Sequence, residues 1–148
     1  MQNFHNAIYR EEEREMMPTC KLFGVGCIPW SPLARGFLTR PVAEQAASTR
    51  FKTDPTFNKF VGGASNEEET NAAINQAVEA VAKARGLSMA QVALAWSRAQ
   101  PGITAPIVGS TRLSSIIELV KATHISLTAE EVASISAPYQ PRPIKGHS

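Results

Sequence analysis

The chain has 148 residues, with 15 Lys+Arg against 13 Asp+Glu, a formal charge of +2 and a hydrophobic share of 43%. That share can build a core and excludes wholesale disorder, while a small charge without any Lys/Arg cluster excludes a general nucleic-acid binder. No apolar run approaches the roughly 18–20 residues of a membrane span, and two cysteines, Cys20 and Cys27, are too few to staple a domain of this size.

In chain order, the first charged stretch is REEERE at 10–15, leading into Met16, Met17, Cys20 and Leu22. The pattern predicts a helix over 10–22, with Glu11, Glu12 and Glu13 in a first turn whose dipole favours negative charge. Pro18 would kink it. Val25, Cys27, Ile28 and Trp30 form a nearly continuous apolar run, predicting a short parallel strand buried on both faces and ended by Pro29. Residues 31–65 hold Pro32, Gly36, Pro41, Pro55, Gly62 and Gly63, and read as a long loop of the kind that is often functional.

Ser65 with Glu68 suggests a capping box opening a helix to Gly86, along which Ile74, Ala77, Val78, Val81 and Ala84 recur at helical spacing. Glu67, Glu68 and Glu69 fit its acidic N-terminal run. Ser88 with Gln91 opens a second helix to Gln100, apolar almost all round and therefore expected to be heavily buried. Residues 103–108 predict a second strand. Gly109-Ser110-Thr111-Arg112 turns it into a helix carrying Leu113, Ile116, Ile117 and Val120. Thr128 with Glu131 caps a short helix through Ile135, and residues 138–148 read as a proline-rich extended tail beyond a body of 1–137. Strands alternating with helices point to a parallel α/β sheet. Two strands cannot bury the apolar faces of five helices, since sheets usually have about four to six, so strands are expected to be missing.

Two constellations stand out. Pro29-Trp30-Ser31-Pro32-Leu33-Ala34-Arg35-Gly36 lies at the C-terminal end of a strand, where parallel α/β folds place ligands. The Trp30 indole offers a flat face for stacking, and Ser31 and Arg35 suit an anion; a core tryptophan ending in a proline turn fits the same residues. Gly109–Arg112 sits at a helix start, where free amides attract phosphate, and equally fits a hydroxyl N-cap beside a solvated arginine. Arg50 taken alone is a solvated charge. His5, His124 and His147 have no metal-ligand spacing, and no metal site is expected.

The stretches QNFHNAIYREEEREMMP, FGVGCIPWSPLARGFLTRP and LSMAQVALAWSRAQPGITAPIVGSTRLSSIIELV resemble the aldo-keto reductase superfamily, in particular its fungal aryl-alcohol dehydrogenase and versiconal hemiacetal acetate reductase type. The resemblance runs from residue 1 to about 143. It implies an α/β fold, the C-terminal portion of a (β/α)8 TIM barrel from the end of strand 6 through strand 8 and the terminal helices. It implies NADP(H)-dependent oxidation or reduction of aldehydes, ketones or aryl alcohols. By position, Gln2 would bond the nicotinamide carboxamide and Trp30 would stack on the ring. Ser31, Pro32, Leu33, Ala34 and Arg35 would line the pyrophosphate, and Arg50 would contact the 2′-phosphate. Gly109, Thr111, Arg112, Ser115 and Glu118 would hold the 2′-phosphate and adenine. Ser115 stands where relatives often carry Gln, and Leu119 where they often carry Asn.

The family's catalytic Asp, Tyr, Lys and His lie in the first half of the barrel and have no counterpart here. Tyr9, Tyr139 and His5 do not match them, so no catalytic residue is assigned. The chain is expected to be a fragment, inactive alone, either a short product or a truncated reading of a longer gene. It would bind NADP, or act as a non-catalytic module that self-associates or pairs with the missing half barrel. A cytoplasmic location is expected.

Overall fold

A computed structural model describes residues 1–47, 52–54, 56–62 and 65–145. Its organising feature is three extended stretches lying side by side in parallel, with Phe4 bridged to Trp30 and Trp30 bridged to Ile107. The amides of Ile28 and Trp30 donate to the Met1 and Asn3 carbonyls at 2.8 and 2.9 Å. On the other side, Cys27 donates to Gly102, and Thr104 and Ile107 donate to Cys27 and Pro29.

The expected strands over 25–30 and 103–108 occupy the second and third stretches, but neither forms a continuous ladder. Among the described residues the pairing consists of isolated bridges. Two causes are local. Pro29 and Pro106 have no N–H to donate. The third stretch also carries an extra residue: Cys27 pairs with Ile103 and Trp30 with Ile107, three steps against four, and the Cys27 carbonyl takes both the Thr104 and Ala105 amides. Gly26 permits the close approach beside this bulge, since a Cβ there would collide with Thr104 Oγ1.

The two faces of this small sheet differ. Asn3, His5, Cys27 and Pro29 are buried. His5 stacks on Trp96, Cys27 clusters with Met17 and Cys20, and Asn3 donates to Glu12. On the alternate face Gln2 is exposed, and Ile28 and Ile107 are 39% and 43% exposed.

The helices are α1 (Met16–Leu22), α2 (Phe57–Phe60), α3 (Ser65–Arg85), α4 (Met89–Ala99), α5 (Leu113–Lys121) and α6 (Ala129–Ser136). The expected single helix over 10–22 is replaced by a 3-10 turn at Glu11–Glu13 followed by α1. Pro18 explains the break: with α1 starting at Met16 it falls in the first turn, where its missing N–H costs no intrahelical bond. The expected loop 31–65 contains helical turns as well, with 3-10 segments at Ala34–Thr39 and Val42–Ala47 and then α2.

The Ser88/Gln91 and Thr128/Glu131 capping boxes form as expected, each with both reciprocal bonds. The Ser65 side chain of the third expected box lies outside the described residues. The core joins Ile74, Val78 and Val81 of α3, Val92, Ala93 and Trp96 of α4, and Ile135 of α6 around Ile8, Phe37 and Leu38. Helix α5 forms with most of the apolar residues expected along it exposed. Leu113 is 75% exposed, and Ile117 and Val120 are exposed too. The helix packs on Ala90 and Leu94 of α4 through Leu119 and the following Ala122, and no described element covers the rest of its apolar stripe.

The segment 138–145 has no regular secondary structure but lies against the body. The Tyr139 hydroxyl and the Arg142 amide donate to the buried Glu11 carboxylate at 2.6 and 2.9 Å, and Arg142 reaches Asn71.

Candidate functional site

A cleft of about 1080 Å³ opens where the second and third extended stretches end. Ser31, Pro32, Leu33, Arg35, Gly109, Thr111, Arg112, Ser115 and Glu118 all line it. Two segments far apart in sequence are thus brought to one wall, at the end of the parallel stretches where such folds bind ligands. The remaining sequence-predicted residues are placed differently. Ala34 is fully buried behind the cleft, so only its backbone shapes the turn. Trp30 is half-buried beside Ser31, with its ring stacked on Phe4 at 4.4 Å and meeting Phe60 edge-on at 5.3 Å. Gln2 is exposed on the first stretch and does not line the cleft. Arg50 lies outside the described residues.

The turn after Trp30 is strained. Ser31, Ala34 and Arg35 have φ of 53°, 48° and 56°, a left-handed conformation that non-glycine residues adopt at a cost of about 1 kcal/mol or more each. Buried contacts hold it there: Asn6 Nδ2 donates to the Ser31 carbonyl at 3.1 Å, the Ala34 amide donates to the same oxygen, and the Gly36 amide closes on Leu33. Strain held by surrounding contacts next to a cleft is a feature of ligand-binding turns.

Charge in the cleft comes from Arg35, Arg40 and Arg112, opposed by Asp54 and Glu118. Arg35 donates through Nε and Nη2 to one Asp54 oxygen at 3.0 and 2.6 Å, with its guanidinium 5.6 Å from the Phe60 ring centre. Bonds from Thr56 and from Arg35 hold the Asp54 carboxyl down at about 2, so it is a fixed negative charge. Arg40 has a buried Nε without a partner, and its carbonyl is gripped by two side-chain amides. At the far wall Ser110 Oγ accepts from the Arg112 amide, and Arg112 itself is the N-cap of α5 with no side-chain cap bond. The hydroxyl cap allowed by the sequence therefore does not form, and the first α5 amides remain available to an anion. Ser115 and Leu119 both line the cleft, and Leu119 is also the buried packing contact of α5 on α4.

Asn6, Arg40 and Asp54 are the site residues that sequence reasoning missed. Only Arg40 carried a local signal: it precedes Pro41, which restricts it to the extended region, and its φ and ψ are −154° and 158°.

Tyr9, Tyr139 and His5 stay away from the cleft. Burial and the Glu11 carboxylate push the Tyr139 hydroxyl well above its usual range. His5 is fully buried with Nε2 2.8 Å from Glu13, which also takes two bonds from Arg10. Among the described residues no group of three or more His, Cys, Asp or Glu converges as a metal site, and no helix is long and apolar enough to cross a membrane.

The family model described as the aldo/keto reductase family matches residues 1–139. The chain belongs to the aldo/keto reductase family. It is 46% identical over 144 residues to versiconal hemiacetal acetate reductase of Aspergillus parasiticus, a match covering 97% of this chain and 41% of that protein. It is 42% identical over 146 residues to a Schizosaccharomyces pombe protein named as an aryl-alcohol dehydrogenase, covering 99% and 40%. Aldo-keto reductase AMT2 of Alternaria alternata is 38% identical, covering 100% and 38%. This aldo/keto reductase chain thus spans about two fifths of the length of the curated relatives it matches. The family's fold is a (β/α)8 barrel, and three parallel stretches with their connecting helices fit part of one.

Proposed function

We propose that these residues form the coenzyme-binding part of an NADP(H)-dependent aldo-keto reductase acting on aldehydes, ketones or aryl alcohols. They would comprise the end of barrel strand 6 through strand 8. One observation carries the reading: residues 31–36 and 107–118 converge on a cleft walled by three arginines and several hydroxyls. That donor set suits a polyanion, and the partnerless buried Nε of Arg40 is a donor awaiting an acceptor.

Arg35 and the Ser31–Ala34 backbone would hold the pyrophosphate. Arg112, Thr111, Ser115 and the α5 amides would hold the adenosine end, with Arg50 added at a 2′-phosphate. Trp30 and Gln2 would flank the nicotinamide. The coenzyme, when bound, supplies or accepts hydride at the substrate carbon. The matching proton at the carbonyl oxygen needs an acid, and no tyrosine, lysine or histidine lines the cleft among the described residues. The 148 residues alone are therefore proposed to bind without turning over. Their unpaired buried thiols, Cys20 and Cys27, support a reducing, cytoplasmic setting.

The test is titration of the 148-residue chain with NADPH and with NADH, alongside turnover of a benzaldehyde-type substrate. Tighter binding of NADPH without turnover is expected. Absence of binding removes the coenzyme reading, and turnover at ordinary enzyme rates removes the claim of inactivity.

A second reading is favoured by the open face bearing Ile28, Ile107 and Val108, which suits pairing with the rest of a barrel or with another copy. A sedimentation profile that stays monomeric at high concentration would count against self-association.

A further inference from the structure

The chain's two cysteines meet in a small buried cluster outside the cleft. The end of α1 brings them together. Gly24 has a φ of 66°, a left-handed conformation that glycine adopts without strain. Its amide donates to the Lys21 carbonyl at 3.2 Å, and the Val25 amide donates to the Cys20 carbonyl at 2.8 Å. These are the two bonds of a Schellman cap, which satisfies the last carbonyls and turns the chain away from the helix axis. Cys27 is thereby returned to the face of α1 that carries Met17 and Cys20, with Met16 packed beside them. Its backbone is fixed there, because its amide donates to Gly102 and its carbonyl accepts from Thr104 and Ala105.

The two thiols are in hydrogen-bond contact. Burial pushes the Cys27 thiol up, and the bond with Cys20 adds to that. A buried cysteine can serve as a small apolar filler. Filling space does not require both cysteines of a chain to lie at one place, nor their sulfurs to touch. The two members also differ in access. Cys27 is fully enclosed, whereas Cys20 keeps 7% of its surface open. The pair thus has an outer thiol facing solvent and an inner thiol facing the outer one.

We infer that Cys20 and Cys27 are a redox-active dithiol that a hydroperoxide closes to a disulfide. The Cys20 sulfur attacks a peroxide oxygen. An S–O bond forms, the O–O bond breaks, and the thiol proton leaves with the departing oxygen as water or an alcohol. Cys20 is oxidised to a sulfenic acid and the peroxide is reduced. The Cys27 sulfur then attacks Cys20. The S–S bond forms, the S–O bond breaks, and the Cys27 proton leaves with the hydroxyl as water. Sulfurs already in contact complete this step by side-chain rotation. Under reducing conditions the pair rests as thiols, and exchange with a small thiol returns it to that state. The oxidised form ties the end of α1 to the bulge between the second and third stretches. It is independent of the coenzyme reading, since neither cysteine lines the cleft.

The test exposes the folded 148-residue chain to hydrogen peroxide, removes the excess with catalase, blocks remaining thiols and maps tryptic peptides by mass. Cleavage after Arg14, Lys21 and Arg35 places Cys20, Met16 and Met17 in peptide 15–21 and Cys27 in peptide 22–35. The expected product joins these two peptides within one chain, with loss of two hydrogens and reversal by dithiothreitol. Cys27→Val keeps the buried site apolar and should leave Cys20 as a sulfenic acid captured by dimedone. Cys20→Ala should abolish oxidation at Cys27. Circular dichroism checks that each variant is folded, and the readout on the parent chain stands without them.

Thiols that stay free in the parent chain, whether or not Met16 and Met17 become sulfoxides, overturn the proposal. So does a disulfide formed only between chains. Oxidation of Cys27 that persists in Cys20→Ala overturns the assignment of Cys20 as the attacking sulfur.

Discussion

At Arg35 an incoming anion must compete with Asp54, whose carboxylate is already in place at 2.6 Å. Asp54→Asn should therefore tighten binding of NADPH or pyrophosphate several-fold, the scale of a half-exposed ion pair. A titration showing no gain would mean that Arg35 does not meet the ligand. Because the Asp54 carboxyl is held at about 2, its competition does not fade between pH 5 and 8. A second residue bears on stability. Burial alone would raise the Glu13 carboxyl, but bonds from His5 and Arg10 override it and hold it at about 2. Its folded value is depressed, so its contribution is complete above the ordinary glutamate range near 4.5 and is lost as pH falls from there through about 2. Glu13→Gln should lower stability by about 1–3 kcal/mol at pH 7 and flatten the acid limb of the unfolding curve. At this scale the Trp30–Arg35 and Gly109–Arg112 constellations were legible because contiguous residues carry them. Asn6 and Asp54 were not, since each acts on a partner, Ser31 or Arg35, that only tertiary folding brings near.

Helix starts were the most legible elements because a capping box is local chemistry. Ser88→Ala should cost about 1 kcal/mol, removing the bond accepted from the Gln91 amide, and a denaturant melt reads this as a lower midpoint with unchanged slope. The strands were half legible. Apolar runs marked extended stretches, but among the described residues these pair only through isolated bridges: ladder continuity depended on where Pro29 and Pro106 fell against the neighbouring stretch, and pairing register is not written in either run alone. For α5 the apolar residues Leu113, Ile117 and Val120 marked a helix, yet a helix face becomes inner only when another element covers it, and these three are exposed.

Over the whole molecule, the tail is worth more than its apolar area. Arg142 is 6% exposed, and Glu11 is buried beneath it with Tyr139 as its closest donor. Deleting 138–148 leaves the Glu11 carboxylate with fewer donors, and a charge stranded in that way is costly. The shortened chain should unfold at clearly lower denaturant, by more than Tyr139→Phe alone, and equal midpoints would show the tail to be a bystander. The sequence placed a proline-rich stretch here but could not show that its polar residues complete a buried network begun at Tyr9 and Glu11.

That network also has a bearing on the order of synthesis. The Tyr9 hydroxyl accepts from the Lys145 amide and donates to the Lys145 carbonyl, joining residues near opposite ends of the chain. Until residues 138–145 have been made, Tyr9 and Glu11 lack the bonds to Lys145, Tyr139 and Arg142. Helices α3 and α4 can associate earlier, because their contacts are local. Residues 138–145 therefore close the structure around residues 9–11, and native packing there follows the association of α3 with α4.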